Sequence, residues 1–186
     1  MKRWIIAALA AATLGATAAQ ASDPYVGIGV GGFNIDNGVS KKMAAGAYLQ
    51  VGDDFSQYLG GEVRIGASDR TGQAFPLQAQ TRIDYFAAAY LKPRYELNEQ
   101  YTVYGLLGVA TVRASYAAPG TLQQKKTRNG FAYGLGIDYR YNENVSFGAE
   151  WSHMLTKPSI TPAAIGTNFQ GVSSSVYTAS LKYHFF

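Results

Sequence analysis

Cysteine is absent from the 186 residues. A disulfide framework, a thiolate metal site and a cysteine nucleophile are excluded together, so stability rests on packing and pairing of the chain itself. No stretch reaches the ~20 apolar residues of a membrane-spanning helix, the nearest being the short run from Trp4 to Ala12. A long amphipathic helix pattern is missing too. Any membrane crossing must then be built of strands, which can also satisfy every backbone polar group in lipid. Charge of one sign is scarce as well: the formal net charge is +4, from 16 basic and 12 acidic residues. Two of the basic residues, Lys2 and Arg3, fall in a leader, and the small remainder names no partner and does not point to nucleic acid.

That leader is the first thing present. Met1-Lys2-Arg3 is a basic start, Trp4 to Ala12 an apolar stretch, and Ala19-Gln20-Ala21 a small-x-small cleavage site. The expectation is a signal peptide over 1–21, removed on export, and one mature domain over 22–186.

The mature chain is rich in the residues of strands, tight turns and interfacial rings, with 21 Gly, 14 Tyr and 9 Phe in all. Eight alternating segments stand out: Tyr25–Phe33, Met43–Val51, Tyr58–Ala67, Thr81–Leu91, Tyr101–Val112, Gly130–Tyr141, Val145–Leu155 and Ser174–Phe185. Each is close to the ~9–11 residues of a tilted spanning strand. Connections after the second, fourth and sixth segments are short and polar, the fourth's running from Lys92 to Gln100. Those after the third, fifth and seventh are long: Ala67 to Gln80, Arg113 to Asn129 and Thr156 to Ser173. Short turns at one rim and long loops at the other suit an all-β, eight-stranded, antiparallel up-and-down transmembrane barrel, long loops outward.

Charge placement sets the register. The polar faces of these segments carry Glu62, Asp84, Asp138 and Glu150 with Arg64, Arg82, Arg140 and Lys182. A basic residue facing lipid near the midplane would cost ~2–4 kcal/mol, so all eight are expected inside as a balanced ionic network. The fifth segment is apolar on both faces, and Val103, Leu107 and Val109 are assigned outward.

The family resemblance rests on short motifs. These are the Pro24-Tyr25-Val26-Gly27 opening, Tyr104-x-x-x-Gly108, Gly134-x-Gly136-x-Asp138-Tyr139-Arg140, Glu150-Trp151 and the ending Tyr183-x-Phe185. Together they resemble the small eight-stranded outer-membrane β-barrels, the broad group of the outer-membrane protein A barrel, the opacity proteins and the Ail/Lom proteins. The resemblance covers the whole mature chain. It implies the outer membrane of a Gram-negative bacterium, contact with membrane lipid and lipopolysaccharide, insertion by the barrel-assembly machinery, and no cofactor. The final aromatic matches at Phe185, leaving Phe186 over. Were Phe186 the signal aromatic, the last strand would shift by one and turn Lys182 and His184 outward.

Other patterns have plainer readings. Gly27-Ile-Gly29-Val-Gly31-Gly32 contains G-x-G-x-x-G, but a turn sequence, Phe33 to Gly38, follows where a dinucleotide site needs a helix. Inward glycines that leave room for large interior side chains explain it. His153 sits near the outer end of its segment, where lipid A-modifying barrels carry a catalytic histidine; the position two beyond is Leu155 rather than serine, and no nucleophile–base–orienter set is visible. No catalytic and no metal-binding residues are assigned, and Asn144-Val145-Ser146 is a chance glycosylation sequon.

Basic residues gather in the outer loops instead. Lys125, Lys126 and Arg128 lie in the loop after the fifth segment, and Lys41, Lys42, Arg70 and Lys157 in other outer connections. Asp53, Asp54, Glu96, Glu99 and Glu143 gather in the opposite turns. Such a rim attracts lipopolysaccharide phosphates or anionic host and surface glycans. The expected function is a non-enzymatic structural and surface-interaction protein. The alternatives are a narrow channel for small or apolar solutes and a lipid A-modifying enzyme.

Overall fold

The computed structural model describes residues 22–36, 41–70, 80–117, 123–154 and 173–185. The leader, Leu155, Lys157 and Phe186 lie outside the described residues. Eight strands follow in order: β1 (Asp23–Asp36), β2 (Lys41–Asp54), β3 (Leu59–Ser68), β4 (Gln80–Glu96), β5 (Tyr101–Ala117), β6 (Gln124–Arg140), β7 (Val145–Met154) and β8 (Ser173–His184). Each pairs antiparallel with its neighbour in sequence, and β8 closes on β1 from Tyr25↔His184 to Asp36↔Ser173. Closure leaves no open edge, the condition for strands to lie in hydrocarbon.

Alternation then sorts side chains between lumen and exterior. In β8 the inner residues Thr178, Ser180, Lys182 and His184 are buried, while Tyr177, Leu181, Tyr183 and Phe185 are exposed. Lys182 is thus inside and Phe185 outside. The exterior is an apolar belt that includes Ile28, Val30, Leu49, Ile65, Leu107, Val109, Phe131 and Leu135. Toward the short-turn end it meets rings of Tyr58, Tyr95, Tyr101, Tyr141, Phe147 and Tyr183, the aromatic girdle of a membrane interface.

The short turns are locally encoded. Ser56 Oγ accepts from the N–H groups of Tyr58 and Leu59 at 3.3 and 3.1 Å. Asn98 and Asn142 Oδ1 accept from the N–H groups two and three residues on, the Asx turn that these side chains favour.

Inside, the barrel is layered. Its outer half is apolar, with Phe33, Ile35, Ile83, Phe86, Leu106, Val112, Met154 and Val176 all buried. Its other half, toward the short turns, is ionic. Glycines open space for rings crossing the lumen: a Cβ on Gly29 would overlap the Tyr48 ring, and one on Gly136 the Tyr104 ring.

Five strands run longer than their alternation suggests, β1 reaching Asp36 and β2 spanning Lys41 to Asp54 among them. β4 continues to Glu96 through Pro93, and β5 and β6 stay paired up to Tyr116↔Gln124. A bulge in β4 between Ile83 and Tyr85 makes Asp84 an extra residue. Beyond it the faces are reversed: Thr81 and Ile83 are buried and Arg82 is exposed.

Candidate functional site

Arg64 on β3 and Glu150 on β7 face each other across the lumen, Nη1 donating to Oε1 at 2.5 Å and Nη2 to Oε2 at 2.6 Å. Arg64 Nε also pairs with Glu62. Tyr25 and Tyr104 hydroxyls donate to these two carboxylates, at 2.6 Å to Glu62 and 3.2 Å to Glu150. The guanidinium lies 4.8 Å from the centre of the Tyr48 ring and 5.1 Å from that of Tyr90. Its charge is therefore met by two carboxylates and two ring faces, which offsets the cost of removing it from water.

A second set lies nearer the short-turn mouth. Lys182 Nζ donates to both Asp138 oxygens at 2.7 and 2.8 Å. Lys92 Nζ is 3.2 Å from Asp54 and 3.7 Å from Asp138, and Arg94 is 3.1 Å from Asp54. Both lysines lie within 5.3 Å of the Tyr25 and Tyr104 ring centres. Two ammonium groups share this compartment because carboxylates and π-faces surround both.

Among the described residues four acids and four bases lie inside, but they are not the eight expected. Glu62, Arg64, Asp138, Glu150 and Lys182 are in the lumen; Arg82, Asp84 and Arg140 are not. Their places are taken by Lys92, Arg94 and Asp54, which the sequence reading put in turns. The Asp84 bulge turns Arg82 outward, where its side chain is 44% exposed and pairs with Asp84 at 2.9 Å. Arg140 lies at the short-turn rim, 2.5 Å from Asp23. Lys92 had a legible signal: Tyr90, Lys92 and Arg94 continue one face while Leu91, Pro93 and Tyr95 continue the other. The stretch from Lys92 was read as a connection, yet the strand continues and only its pairing with β5 is interrupted at Pro93, between Leu91↔Leu107 and Arg94↔Tyr104.

At the same rim, His184 Nε2 is 2.8 Å from Ser146 Oγ and its Nδ1 is 2.9 Å from Asp23 Oδ1. The order serine, histidine, aspartate is that of a hydrolytic triad. Ser146 is only 2% exposed and His184 3%, so a substrate carbonyl has no approach to the hydroxyl. With Arg140 on Asp23, the group ties β1, β6, β7 and β8 together where the barrel closes.

The basic outer residues are also repositioned. Lys125, Lys126 and Arg128 belong to strand β6 rather than a loop, and Lys41 and Lys42 begin β2. Lys41 is 3.6 Å from Asp36. Along the outer face of β5 and β6, apolar Val109 and Phe131 give way to Thr111 and Asn129, then to Arg113 and Thr127, then to Ser115 and Lys125. Ser115 donates to Asp84 at 2.5 Å, beside Arg82. Thr81, Arg82, Ser115, Ala117, Gln123 and Arg70 line a hollow of about 170 Å³. On the exterior of β7, His153 Nδ1 is 2.9 Å from Ser175 Oγ, and its ring leans on Tyr133 at 5.5 Å.

A closed barrel of eight antiparallel strands, apolar and aromatic outside and charge-paired within, is a transmembrane barrel of the outer-membrane class. The chain belongs to the outer membrane protein beta-barrel domain family, whose model matches residues 5–185. Its place is therefore the outer membrane of a Gram-negative bacterium. No curated protein matches it in sequence. Solved barrels share the fold. Neisserial surface protein A has a TM-score of 0.68 at 15% identity, over 89% of this chain and all of that one (100%). Ail of Yersinia pestis, in complex with the heparin analogue sucrose octasulfate, has a TM-score of 0.60 at 17% identity, over 88% of this chain and 99% of that one. OprG of Pseudomonas aeruginosa has a TM-score of 0.54 at 16% identity, over 89% and 96%.

Proposed function

We propose that this barrel is a non-enzymatic surface-interaction protein whose basic outer end engages anionic glycolipid or glycan. The observation that carries the reading is the extended β5–β6 hairpin. Its pairing runs on past the last outward apolar pair, Val109 and Phe131, and lifts Arg113, Lys125, Lys126 and Arg128 clear of the belt. Sulfate and phosphate esters bind such donors through charge-assisted hydrogen bonds. The Ail barrel, similar in fold, was solved with a sulfated heparin analogue, which supports the same ligand chemistry here. A water-filled passage is disfavoured by the filled lumen, in which an apolar layer lies above the ionic one. The test is a heparin and lipopolysaccharide titration of the purified barrel with Lys125, Lys126 and Arg128 neutralised together. Binding should weaken and its salt dependence flatten; unchanged binding would refute the reading.

A further inference from the structure

Three aspartates gather at the short-turn rim where β1 begins and β2 ends: Asp23 stands opposite Asp54, and Asp53 opposite Pro24. Two of them meet cations. Asp23 pairs with Arg140 and His184, and Asp54 with Lys92 and Arg94. Among the described residues Asp53 meets no cation. Its partner is Ser22, whose Oγ lies 2.8 Å from both carboxylate oxygens. A hydroxyl has a single proton to donate. Only one of those two contacts is therefore a donated hydrogen bond, and one oxygen of a half-buried carboxylate faces Ser22 without a donor from it.

We infer that Asp53 is the receiving site for the α-ammonium of Ser22, a group that exists only after the leader has been cut away. The small-x-small signal Ala19-Gln20-Ala21 directs a peptidase of the leader-removing class to the Ala21–Ser22 bond. Hydrolysis there breaks one C–N bond. Water supplies the oxygen of the new Ala21 carboxylate, and the nitrogen stays with Ser22 and takes up protons to become an ammonium. An amide with one N–H thus becomes a cation with three donors, on the residue that already reaches Asp53. Ser22 is exposed and precedes the first residue of β1, so the new amine is not held in a ladder and can turn toward the carboxylate. The resulting pair clamps the start of β1 to the end of β2. At the same rim, Asp23 ties β1 to Arg140 of β6 and His184 of β8. Removal of the leader therefore completes the charge pairing where the barrel closes, and the uncut chain has no charge to offer Asp53 at this position.

The experiment uses the barrel extracted in detergent from outer membranes. Its intact mass should be that of residues 22–186. Brief periodate treatment should then convert its first residue to an aldehyde, a reaction confined to a terminal serine or threonine with a free amine, which removes ammonium and hydroxyl together. Amide hydrogen exchange from Asp23 to Gly27 is compared in the native barrel and in Asp53→Asn, each before and after treatment. Treatment of the native barrel should speed exchange about two- to fivefold, the scale of an exposed ion pair. Asp53→Asn should do the same, and treating that variant should add nothing, because both changes remove one interaction. Ser22→Ala, which keeps the amine and loses only the hydroxyl, should retain most of the protection. Asp53 lies at the rim, outside the buried ionic sets, and heat-modifiable gel mobility will show that each sample is folded. A mass that starts at another residue overturns the assignment. So does exchange that ignores periodate, effects of periodate and Asp53→Asn that add independently, or a Ser22→Ala barrel as unprotected as the treated one.

Discussion

Arg64 and Glu150 join strands on opposite sides of the barrel, with β4, β5 and β6 between them one way and β8, β1 and β2 the other. Their bidentate pair is a strut across the lumen, so its loss is felt by the whole closed sheet. Glu150→Leu leaves Arg64 with Glu62 alone in a buried site. A loss of about 3–5 kcal/mol is expected for breaking such a pair from one side. The double variant Glu150→Leu with Arg64→Met should be less destabilised than Glu150→Leu. Urea titration of the folded gel band measures both, and equal losses would argue against the strut.

Lys92 and Arg82 separate the observed interior from the one expected from alternation alone. Lys92 is 1% exposed and faces Asp54 and Asp138. Lys92→Met strands carboxylates inside and should cost about 3 kcal/mol or more. Arg82→Gln, on the outer wall, should stay within about 0.5 kcal/mol. Reversal of that order in chemical unfolding would place Arg82, not Lys92, in the lumen.

Gly136 makes room for Tyr104, whose hydroxyl reaches Glu150. Gly136→Ala pushes the ring aside and should destabilise by about 1–3 kcal/mol through overpacking. Tyr104→Leu removes the far end of the ring and should make the alanine tolerable. A double-mutant cycle with no coupling would show that the ring and the glycine do not meet.

The filled lumen has an electrical consequence. The native barrel should give no stable openings in planar bilayers, because Phe33, Phe86, Leu106 and Met154 occupy its outer half above the ion pairs. Phe86→Ala with Phe33→Ala should raise leak events if that layer is the barrier. Stable single-channel steps in the native protein would favour a solute channel over a surface-interaction role.

Within the membrane the strands were readable, because lipid outside and polar side chains inside force a period of two. Tyr177 to Phe185 show it plainly, and Lys182 is interior as that alternation requires. Above the leaflet the pressure ends. Beyond Val109 and Phe131 the outward positions Thr111, Arg113, Lys125, Thr127 and Asn129 are polar or charged and Lys126 and Arg128 occupy the other face of β6, so apolar alternation fades and a paired hairpin reads as loop. The stretch from Lys92 to Glu96 was read as connection although it is strand: Pro93 interrupts the ladder on one side while the strand goes on. The Asp84 bulge has no clear mark in composition, and it alone turns Arg82 outward.

The sequence by itself determined the strand number, the outward apolar face, the inward sign balance and the membrane class, since each follows from local alternation and solvent. Only the tertiary structure decided which charges meet. Partners such as Arg64 and Glu150, 86 residues apart, are set by closure of β8 on β1 and by the stagger accumulated around the barrel. The same closure and the β4 bulge decide that Arg82 looks out at the leaflet while Lys92 looks in.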